Sequence, residues 1–260
     1  MSGELRAVFD EDPELYDRAR PGYPGPLLTE LAALAGIGPG SRVLELGPGT
    51  GQATLALAQL GARVTAVELG AGLARVLAER VAGHSVEVVV SAFEDWPLPA
   101  EPFDAVVSFT AWHWFDPALR AVKVAAALAP GGRLATVTTE HMLGGSTEFF
   151  AQVQNCYLRW DPATPPGLRL RAADEFPPFL DEVDRPGLFR PAVRRRYEQE
   201  LRYRRSEYLD VLNTYSGHRA LPPDQHQGLF DAIAALIDDH HGGMITKRYL
   251  YELRVAELAG

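Results

Sequence analysis

The sequence predicts an α/β protein in which helices cover both faces of one doubly wound, mostly parallel sheet of seven strands. Two observations lead to this class. Short apolar runs alternate with helical patterns through the first two-thirds of the chain, as in strand–helix–strand units. A turn with glycines at positions 47, 49 and 51 follows the first apolar run and leads into a helical stretch.

Seven strand-like runs define the predicted strands. In the first five, the apolar character is nearly continuous, which is expected when helices cover both faces of a sheet. The first five runs alternate with helices, and the last two follow a less regular segment. The predicted strands cover residues 42–46, 63–69, 86–93, 104–109, 133–138, 193–203 and 244–255.

Helical periodicity fills the intervals between these strands. Gly61, Gly83 and the Pro130-Gly131-Gly132 sequence mark helix ends. The resulting order of elements is Rossmann-like, so a ligand would bind beyond the carboxyl ends of the strands. The predicted helices cover residues 52–60, 71–82, 117–128, 206–215 and 223–240, with a looser helical stretch at 94–101.

The same pattern divides the chain into four regions. Residues 1–40 form an N-terminal lid and helix, and residues 41–140 form the cofactor-binding α/β core. Alternation stops after Thr138, where helix-like and proline-rich pieces begin, so residues 141–192 are predicted to form an inserted helical cap. Residues 193–260 supply the strands and helices that complete the sheet.

An aromatic stripe at helical spacing runs through the predicted cap. This spacing favours a buried core face, with the alternative that its inner side shapes a substrate pocket. The stripe consists of Phe149, Phe150, Val153, Tyr157 and Trp160.

Composition and charge exclude several functional classes. The chain has 260 residues and a net charge of −9, whereas a general nucleic-acid binder needs a basic surface. The arginine-rich run 194–205 alternates with glutamates on one face, which is typical of a protected edge strand. The single cysteine, Cys156, cannot form an internal disulfide, and no apolar stretch approaches a membrane span. We therefore expect a cytoplasmic monomer or homodimer without nucleic-acid or membrane partners.

The residues around the glycine turn restrict its ligand. Backbone without Cβ atoms lets a ligand approach closely. A dinucleotide fingerprint requires glycine at position 52, where this chain has Gln52. Glu45 precedes the first glycine by two residues and would repel a pyrophosphate but attract an ammonium or sulfonium group. The sequence therefore predicts a cationic, phosphate-free cofactor and no metal site.

Segment 45–51, Glu-Leu-Gly-Pro-Gly-Thr-Gly, resembles the first motif of class I S-adenosylmethionine-dependent methyltransferases. Glu68 stands where that family has its ribose-binding acid, and Ser91-Ala92-Phe93-Glu94 is similar to its adenine-flanking segment. The sequences at 103–107 and 128–132 match later signatures, so the resemblance covers residues 41–139. It implies an enzyme that uses S-adenosylmethionine and releases S-adenosylhomocysteine.

A narrower likeness involves segments outside these motifs. Tyr16, Arg20-Pro21 and Tyr23-Pro24, together with Ala-Trp-His-Trp-Phe-Asp at 111–116, are similar to the trans-aconitate methyltransferase-like group of small-molecule enzymes. This likeness implies methyl transfer to an oxygen, nitrogen or carbon nucleophile of a small molecule, by in-line displacement in an enclosed pocket.

The resemblance also implies a set of cofactor-binding residues. Glu68 would accept both ribose hydroxyls, and Ser91 replaces an aspartate of many relatives, which leaves adenine to backbone groups and to Phe93 or Glu94. Arg20 could pair with a carboxylate of the cofactor or of an acidic substrate, or its segment could simply pack on the flank of the sheet. The full set is Tyr16, Arg20, Glu45, Gly47, Gly49, Gly51, Glu68, Leu69, Ala92, Phe93 and Glu94.

His113 is the candidate catalytic residue. It follows the fourth strand, and a histidine with a pKa near neutrality could remove a proton from a substrate hydroxyl. Alternatively, the flanking aromatic residues pack against the cofactor while His113 hydrogen-bonds a backbone carbonyl. Substrate contacts are predicted for Tyr23, Trp112, Trp114, Phe149 and Tyr157.

Two other functions stay open at this level. A nicotinamide-dependent oxidoreductase would use a related fold, although Glu45 and Gln52 count against it. A scaffold that binds S-adenosylmethionine without turnover would keep the same motifs.

Overall fold

The computed structural model describes residues 8–260, so the first seven residues of the predicted N-terminal lid lie outside the described residues. The strands are β1 Arg42–Leu46, β2 Arg63–Glu68, β3 Val86–Val90, β4 Phe103–Phe109, β5 Leu128–Met142, β6 Val193–Arg204 and β7 Met244–Glu257. They form one seven-stranded sheet in the order β3-β2-β1-β4-β5-β7-β6. The predicted fold class is confirmed.

The sheet is parallel from β3 to β5, and β7 runs antiparallel to both β5 and β6. The strand order reverses between β1 and β4, and in such sheets the crevice at this reversal is where ligands bind. β5 continues past its predicted end at residue 138, because its pairing with β7 extends to Met142 opposite Arg248. The end of β5 therefore projects over the same crevice.

Helices cover both faces of this sheet. They are α1 Pro13–Ala19, α2 Gly25–Ala35, α3 Thr54–Gln59, α4 Ala71–Arg80, α5 Arg120–Ala127, α6 Thr147–Trp160, α7 Arg205–Asn213, α8 Ser216–Arg219 and α9 Pro223–His241. The looser helix predicted at 94–101 is wrong. This stretch forms turns, because Pro97 and Pro99 remove two backbone donors. None of the described helices is long and apolar enough to cross a membrane.

The described part of the N-terminal region lies across the crevice. It begins with a 3-10 helix, Val8–Glu11, followed by α1. Asp10 Oδ1 accepts a hydrogen bond from the Leu73 amide in the first turn of α4, at 2.8 Å. Glu11 forms an ion pair with Arg219 of α8, at 2.7 Å. The segment is thus tied to elements on both sides of the crevice, as a lid requires.

The region predicted as a cap is divided between the two faces of the sheet. α6 buries Phe149, Phe150 and Val153 in the core that α7 and α9 share, because these positions lie on one apolar helix face. The following stretch crosses to the opposite face, where Val183 and Phe179 pack in a second core. The aromatic stripe is therefore mainly core, which is the reading that its spacing favours.

β6 is an edge strand, as its alternation of charges predicts. Its arginine face is only partly solvated. Arg194 and Arg196 each donate a hydrogen bond to the Glu252 carboxylate of β7, both at 3.0 Å. Glu252 is buried, so these ion pairs compensate a charge that burial would otherwise destabilise.

Candidate active site

A cavity of about 320 Å³ lies at the carboxyl ends of the parallel strands, beneath the N-terminal segment. One end, the acidic end, is lined by Glu45, Glu68 and Glu94. The other, the aromatic end, is lined by Tyr23, His141, Tyr215, Tyr249 and Tyr251. The predicted site residues that line the cavity are Tyr16, Arg20, Tyr23, Glu45, Gly47, Gly49, Glu68, Leu69, Ala92, Phe93, Glu94, His113 and Trp114.

The three glycines of the turn have positive φ angles, which side-chain-bearing residues rarely adopt. A Cβ atom at Gly47 would lie 2.7 Å from the Ala111 Cβ atom, and one at Gly49 would lie 3.2 Å from Tyr16 Cε1. At Gly51 it would lie 2.5 Å from Leu77 Cδ1. Gly51 therefore allows α4 to pack closely on the turn and does not line the cavity, unlike Gly47 and Gly49.

Glu45 presents a buried carboxylate to the cavity. It is 1% exposed, and neither of its oxygens has a hydrogen-bond partner among the described residues. Burial raises the pKa of Glu45 to about 7; the neighbouring Thr54 hydroxyl opposes this rise, and the nearby carboxylate of Glu68 adds to it. A buried acceptor without a partner is costly, so this site is suited to a ligand that brings a positive charge or hydrogen-bond donors.

Glu68 links the turn to the second strand. One carboxylate oxygen accepts the Gly49 amide and the other accepts the Gly70 amide, both at 2.9 Å. Burial raises the pKa of this carboxyl, and the two amides oppose that rise. Each oxygen retains a second lone pair for a ligand hydroxyl, so the predicted ribose contact is compatible with the geometry.

The segment after β3 completes the acidic end. Phe93 is 2% exposed and packs edge-on against Phe115, with ring centroids 5.6 Å apart. The Ser91 hydroxyl donates to the carbonyl of Ala92 at 3.0 Å. Glu94 Oε1 accepts the Asp116 amide at 3.1 Å. These bonds fix the backbone of the segment. Backbone groups of this segment are predicted from the sequence to contact the adenine of the cofactor.

The Trp112–Trp114 segment forms a short 3-10 helix after β4. Such a helix has about three residues per turn, so neighbouring side chains point in different directions. Trp114 and His113 line the cavity, and their rings lie 4.8 Å apart. Desolvation, followed by the charge of Arg120, lowers the pKa of His113. His113 is therefore neutral at pH 7, and the same effects make it a weaker base than a solvated histidine.

Three predicted substrate residues do not reach the cavity. Trp112 is 1% exposed and points to the opposite face of the sheet, where its indole nitrogen donates to Asp181 at 2.8 Å. Phe149 belongs to the helical core. The Tyr157 hydroxyl is bonded to His218 Nε2 at 3.0 Å, behind the cavity wall. Helix packing decided the direction of Phe149 and Tyr157, and the contact with Asp181 decided that of Trp112. Periodicity alone does not orient these side chains relative to the site.

The aromatic end contains residues that the sequence analysis did not select. Thr110 is the one non-glycine residue with a positive φ in residues 8–260, and such strain is concentrated at functional sites. Its hydroxyl lies 3.2 Å from the Tyr23 hydroxyl and 2.9 Å from that of Thr139. His141 Nε2 lies 3.2 Å from the Tyr215 hydroxyl. Alternation along the ends of β5 and β7 is the signal that could have identified the strand positions Thr139, His141, Tyr249 and Tyr251.

Arg20 lies between the two ends of the cavity. Its guanidinium stands over the rings of Tyr16 and Tyr215, with distances of 5.0 and 4.6 Å to the centroids. Nη2 donates to the Thr214 carbonyl at 3.0 Å, and Nε is buried without a partner among the described residues. Arg20 thus retains a free donor for an anion.

Metal ligation has no visible basis in the part of the chain that the structure describes. No group of three or more histidine, cysteine, aspartate or glutamate side chains is positioned there to hold a metal ion.

Comparison with known proteins relates the chain to methyltransferases. The family model "Methyltransferase domain" matches residues 44–136. The chain is 39% identical over 131 residues to an uncharacterized methyltransferase of Mycobacterium tuberculosis, covering 50% of this chain and 51% of that protein. It is 30% identical over 152 residues to an uncharacterized methyltransferase of Geobacillus kaustophilus, covering 54% of this chain and 68% of that protein. The match thus spans about half the length of the mycobacterial relative.

The likeness extends to the whole fold. A solved structure of a candidate type II methyltransferase from Anaeromyxobacter dehalogenans has a TM-score of 0.62 and 25% sequence identity, and the match covers 92% of this chain and 97% of that one. The narrower likeness to the trans-aconitate group stays a prediction.

The cavity has the features that S-adenosylmethionine requires. This cofactor is a cationic nucleoside without phosphate, and the acidic end combines a bare glycine turn with the buried carboxylate of Glu45, which has no hydrogen-bond partner among the described residues. Glu68 retains acceptor capacity for ribose hydroxyls. From its sequence, its sheet and this site, the chain belongs to the class I S-adenosylmethionine-dependent methyltransferase family.

Proposed function

We propose that the protein transfers a methyl group from S-adenosylmethionine to a small molecule inside this cavity. The observation that carries the proposal is the buried, unpartnered carboxylate of Glu45 beside the glycine turn. In this assignment the acidic end holds the cofactor and the aromatic end holds the acceptor. When bound, the cofactor supplies a methyl group on a positively charged sulfur.

The cofactor contacts follow from the lining of the acidic end. Glu45 and the Gly47 and Gly49 backbone would bind the methionine portion, and Glu68 would accept the ribose hydroxyls. Leu69, Ala92, Phe93 and Glu94 would surround the adenine. Tyr16 lies against Gly49 and would close the site from above.

The protein's main contribution would be orientation and exclusion of water. The methyl donor arrives already activated, so alignment of donor and acceptor accounts for most of the rate. Such alignment can supply roughly 7–11 kcal/mol. Phe9, Tyr16 and Trp114 cover the cavity and would keep it dry.

His113 is proposed as a proton acceptor for acceptors that arrive protonated. Its lowered pKa keeps it neutral at pH 7. General-base catalysis contributes on the order of 100–10,000-fold, which is a smaller share than alignment. If His113→Ala leaves turnover and its pH dependence unchanged, His113 does not have this role.

The small-molecule assignment is supported by the size of the cavity, about 320 Å³, and by the Phe9, Tyr16 and Trp114 side chains that partly cover it. A relative from Clavibacter sepedonicus, 34% identical over 138 residues, is named demethylmenaquinone methyltransferase. Other relatives are named for ribosomal RNA or for protein acceptors, so the cavity and not the relatives' names supports this choice.

Isothermal titration with S-adenosylhomocysteine tests the proposal. We expect saturable binding of one equivalent, and no binding of NADH in the same buffer. The reverse pattern would favour the nicotinamide-dependent oxidoreductase. Binding of S-adenosylhomocysteine without methyl transfer to any acceptor in a small-molecule library would favour the non-catalytic scaffold.

A further inference from the structure

The cavity separates charge between its two ends. Its lining carboxylates, Glu45, Glu68 and Glu94, all belong to the acidic end. Glu45 acts electrostatically on Tyr23, where the two ends meet. Farther along, among the described residues around His141 and Tyr215, the cavity wall has no carboxylate, and the guanidinium of Arg20 borders it. A ligand at this end therefore meets positive charge and hydroxyl groups.

Lys247 adds a second positive charge directly behind the aromatic end. It is 4% exposed and lies two residues before Tyr249 on β7, so both side chains point to the same face of the sheet. Its Nζ atom stands 4.6 Å from the centroid of Phe150, 5.7 Å from that of Tyr249 and 5.9 Å from that of Tyr208. Within residues 8–260, no carboxylate forms an ion pair with this ammonium group.

The pKa of His141 reflects the same excess of positive charge. Burial is the largest cause that holds the pKa of His141 well below its ordinary value, and the charges of Lys247 and Arg20 follow. Burial likewise lowers the pKa of Lys247 to about 7, with no carboxylate acting against it. A carboxylate of the cofactor could pair with Arg20. For Lys247, no carboxylate among the described residues forms an ion pair.

We propose that the aromatic end binds its acceptor as an oxyanion, the ionised oxygen of a carboxylic acid or an acidic phenol, and rejects amines. This inference rests on the proposed function, which assigns the aromatic end to the acceptor. A buried positive charge without a partner attracts an anion strongly and repels an ammonium group, because the surrounding dielectric constant is low.

An oxyanion also simplifies the transfer. Its oxygen forms a bond to the methyl carbon while the carbon–sulfur bond breaks and the bonding pair stays on sulfur. The negative charge of the acceptor and the positive charge of the sulfonium disappear together, so no proton has to be stored. This agrees with the low basicity of His141, which lines this end.

A series of probes of different charge tests the inference in the unmodified protein. The protein is saturated with S-adenosylhomocysteine at about pH 6, below the pKa of about 7 for Lys247. Benzoate, benzamide and benzylamine then compare an anion, a neutral compound and a cation on one ring. For a phenol, 2,4-dinitrophenolate and 2,4-dinitroanisole compare the anion with a neutral compound. Ligand-observed NMR titration gives each affinity.

We expect at least one anion to bind about tenfold more tightly than its neutral partner, the size expected for one uncompensated charge. Benzylamine should bind more weakly than benzamide. Preference for benzoate would identify a carboxylate acceptor, and preference for 2,4-dinitrophenolate a phenol. Equal binding within each set, tighter binding of benzylamine, or no anion binding overturns the inference.

Lys247→Met tests the source of the preference. Methionine is apolar and of similar length, and its sulfur packs well against aromatic rings. We expect a loss of about tenfold in anion affinity, unchanged affinity for S-adenosylhomocysteine, and an upward shift of the His141 pKa measured by NMR. Arg205→Met removes an exposed charge that pairs with Asp238 and should change none of these.

The two proposals fail in different ways. Absence of S-adenosylhomocysteine binding in the unmodified protein would contradict the proposed function. Normal binding of S-adenosylhomocysteine without any charge preference among the probes would remove only the oxyanion inference. If Lys247→Met does not fold, the probe series with the unmodified protein still tests the oxyanion inference.

Discussion

Two carboxylates with different surroundings give the acidic end its chemistry. Glu68 is satisfied by two backbone amides, so its position is fixed before any ligand arrives. Glu45 has no such partners among the described residues. Its burial without compensation is unfavourable in the free protein, and a cationic ligand would relieve that cost. In the proposed function, the selectivity of the site therefore depends on a residue whose burial destabilises the ligand-free fold.

Glu45→Gln should separate these two effects. We expect the dissociation constant for S-adenosylhomocysteine to rise at least about tenfold, since a hydrogen-bonded charge contributes roughly 1.5–3 kcal/mol. Isothermal titration measures this change. Glu79→Gln, at an exposed ion pair with Arg75, is the control and should bind normally. Unchanged affinity in Glu45→Gln would contradict the role of this carboxylate.

The same variant should alter the pH dependence of stability. The pKa of Glu45 rises from 4.5 to about 7 in the folded protein, so the folded state holds an extra proton between these values. Relative to Glu45→Gln, the free energy of unfolding should fall by about 3 kcal/mol as pH rises from 4.5 to 7. Denaturant unfolding at a series of pH values measures this difference, and parallel curves would refute it.

Gly49→Ala should weaken cofactor binding beyond its cost in stability. Gly49 has φ +61, and a Cβ atom there would press on Tyr16. Gly83 has φ +84 with open space around it, so Gly83→Ala carries the same backbone strain away from the cavity. Both variants should lose about 1–2 kcal/mol of stability, and only Gly49→Ala should lose affinity for S-adenosylhomocysteine. Equal affinities in the two variants would count against a ligand at the turn.

At the scale of elements, the loop after β4 is fixed from the opposite face of the sheet. Arg120 Nη1 donates to the Trp112 carbonyl at 2.6 Å, and the Trp112 indole donates to Asp181 at 2.8 Å. Asp181 also pairs with Arg254 at 2.6 Å. Asp181, Arg120 and Arg254 are all buried or nearly so. The stretch beyond α6 thus supports the loop that carries His113 and Trp114.

Asp181→Asn should therefore disturb both stability and the site. Removing one partner of a buried ion pair leaves uncompensated charge, which costs roughly 3–5 kcal/mol. We expect a loss of this size in denaturant unfolding, with a smaller loss of S-adenosylhomocysteine affinity through the displaced loop. Asp238→Asn, at an exposed ion pair with Arg205, should change stability by less than about 1 kcal/mol. Similar losses in the two variants would contradict the supporting role.

At the scale of the whole molecule, the N-terminal segment joins parts of the chain that are distant in sequence. Asp10 binds the start of α4, Glu11 pairs with Arg219 and Arg20 donates to the Thr214 carbonyl. These contacts cross the cavity from one side to the other. If this segment acts as the predicted lid, we expect ligand exchange and its opening to be coupled.

Hydrogen exchange should reveal this coupling. With S-adenosylhomocysteine bound, we expect slower amide exchange in residues 8–24, at the start of α4 and in residues 214–219, because opening becomes rarer. Asp10→Ala should speed ligand release in stopped-flow displacement, whereas Glu14→Gln, at an exposed ion pair with Arg75, should not. Protection confined to the glycine turn would argue against a lid.

The local parts of the site were predictable because their signals are local. The glycine turn, Glu45 and Glu68 occupy fixed positions relative to strand ends, so strand–turn–helix geometry positions them. Trp112 and Trp114 show where this reasoning ends. Both belong to one short motif, yet only Trp114 reaches the cavity, because the direction of a side chain in a 3-10 turn depends on partners such as Asp181, 69 residues away.

The order of apolar runs and one acidic glycine turn by themselves determined the sheet, the end of it that binds a ligand, and the charge of that ligand. These are properties of neighbouring residues. Only the tertiary structure decided what surrounds the aromatic end of the cavity, because His141, Tyr215 and Lys247 come from separate elements that meet when the chain folds and β7 pairs with β5. The charge of the aromatic end depends on which distant groups remain unpaired after packing. No local pattern in the chain encodes this charge.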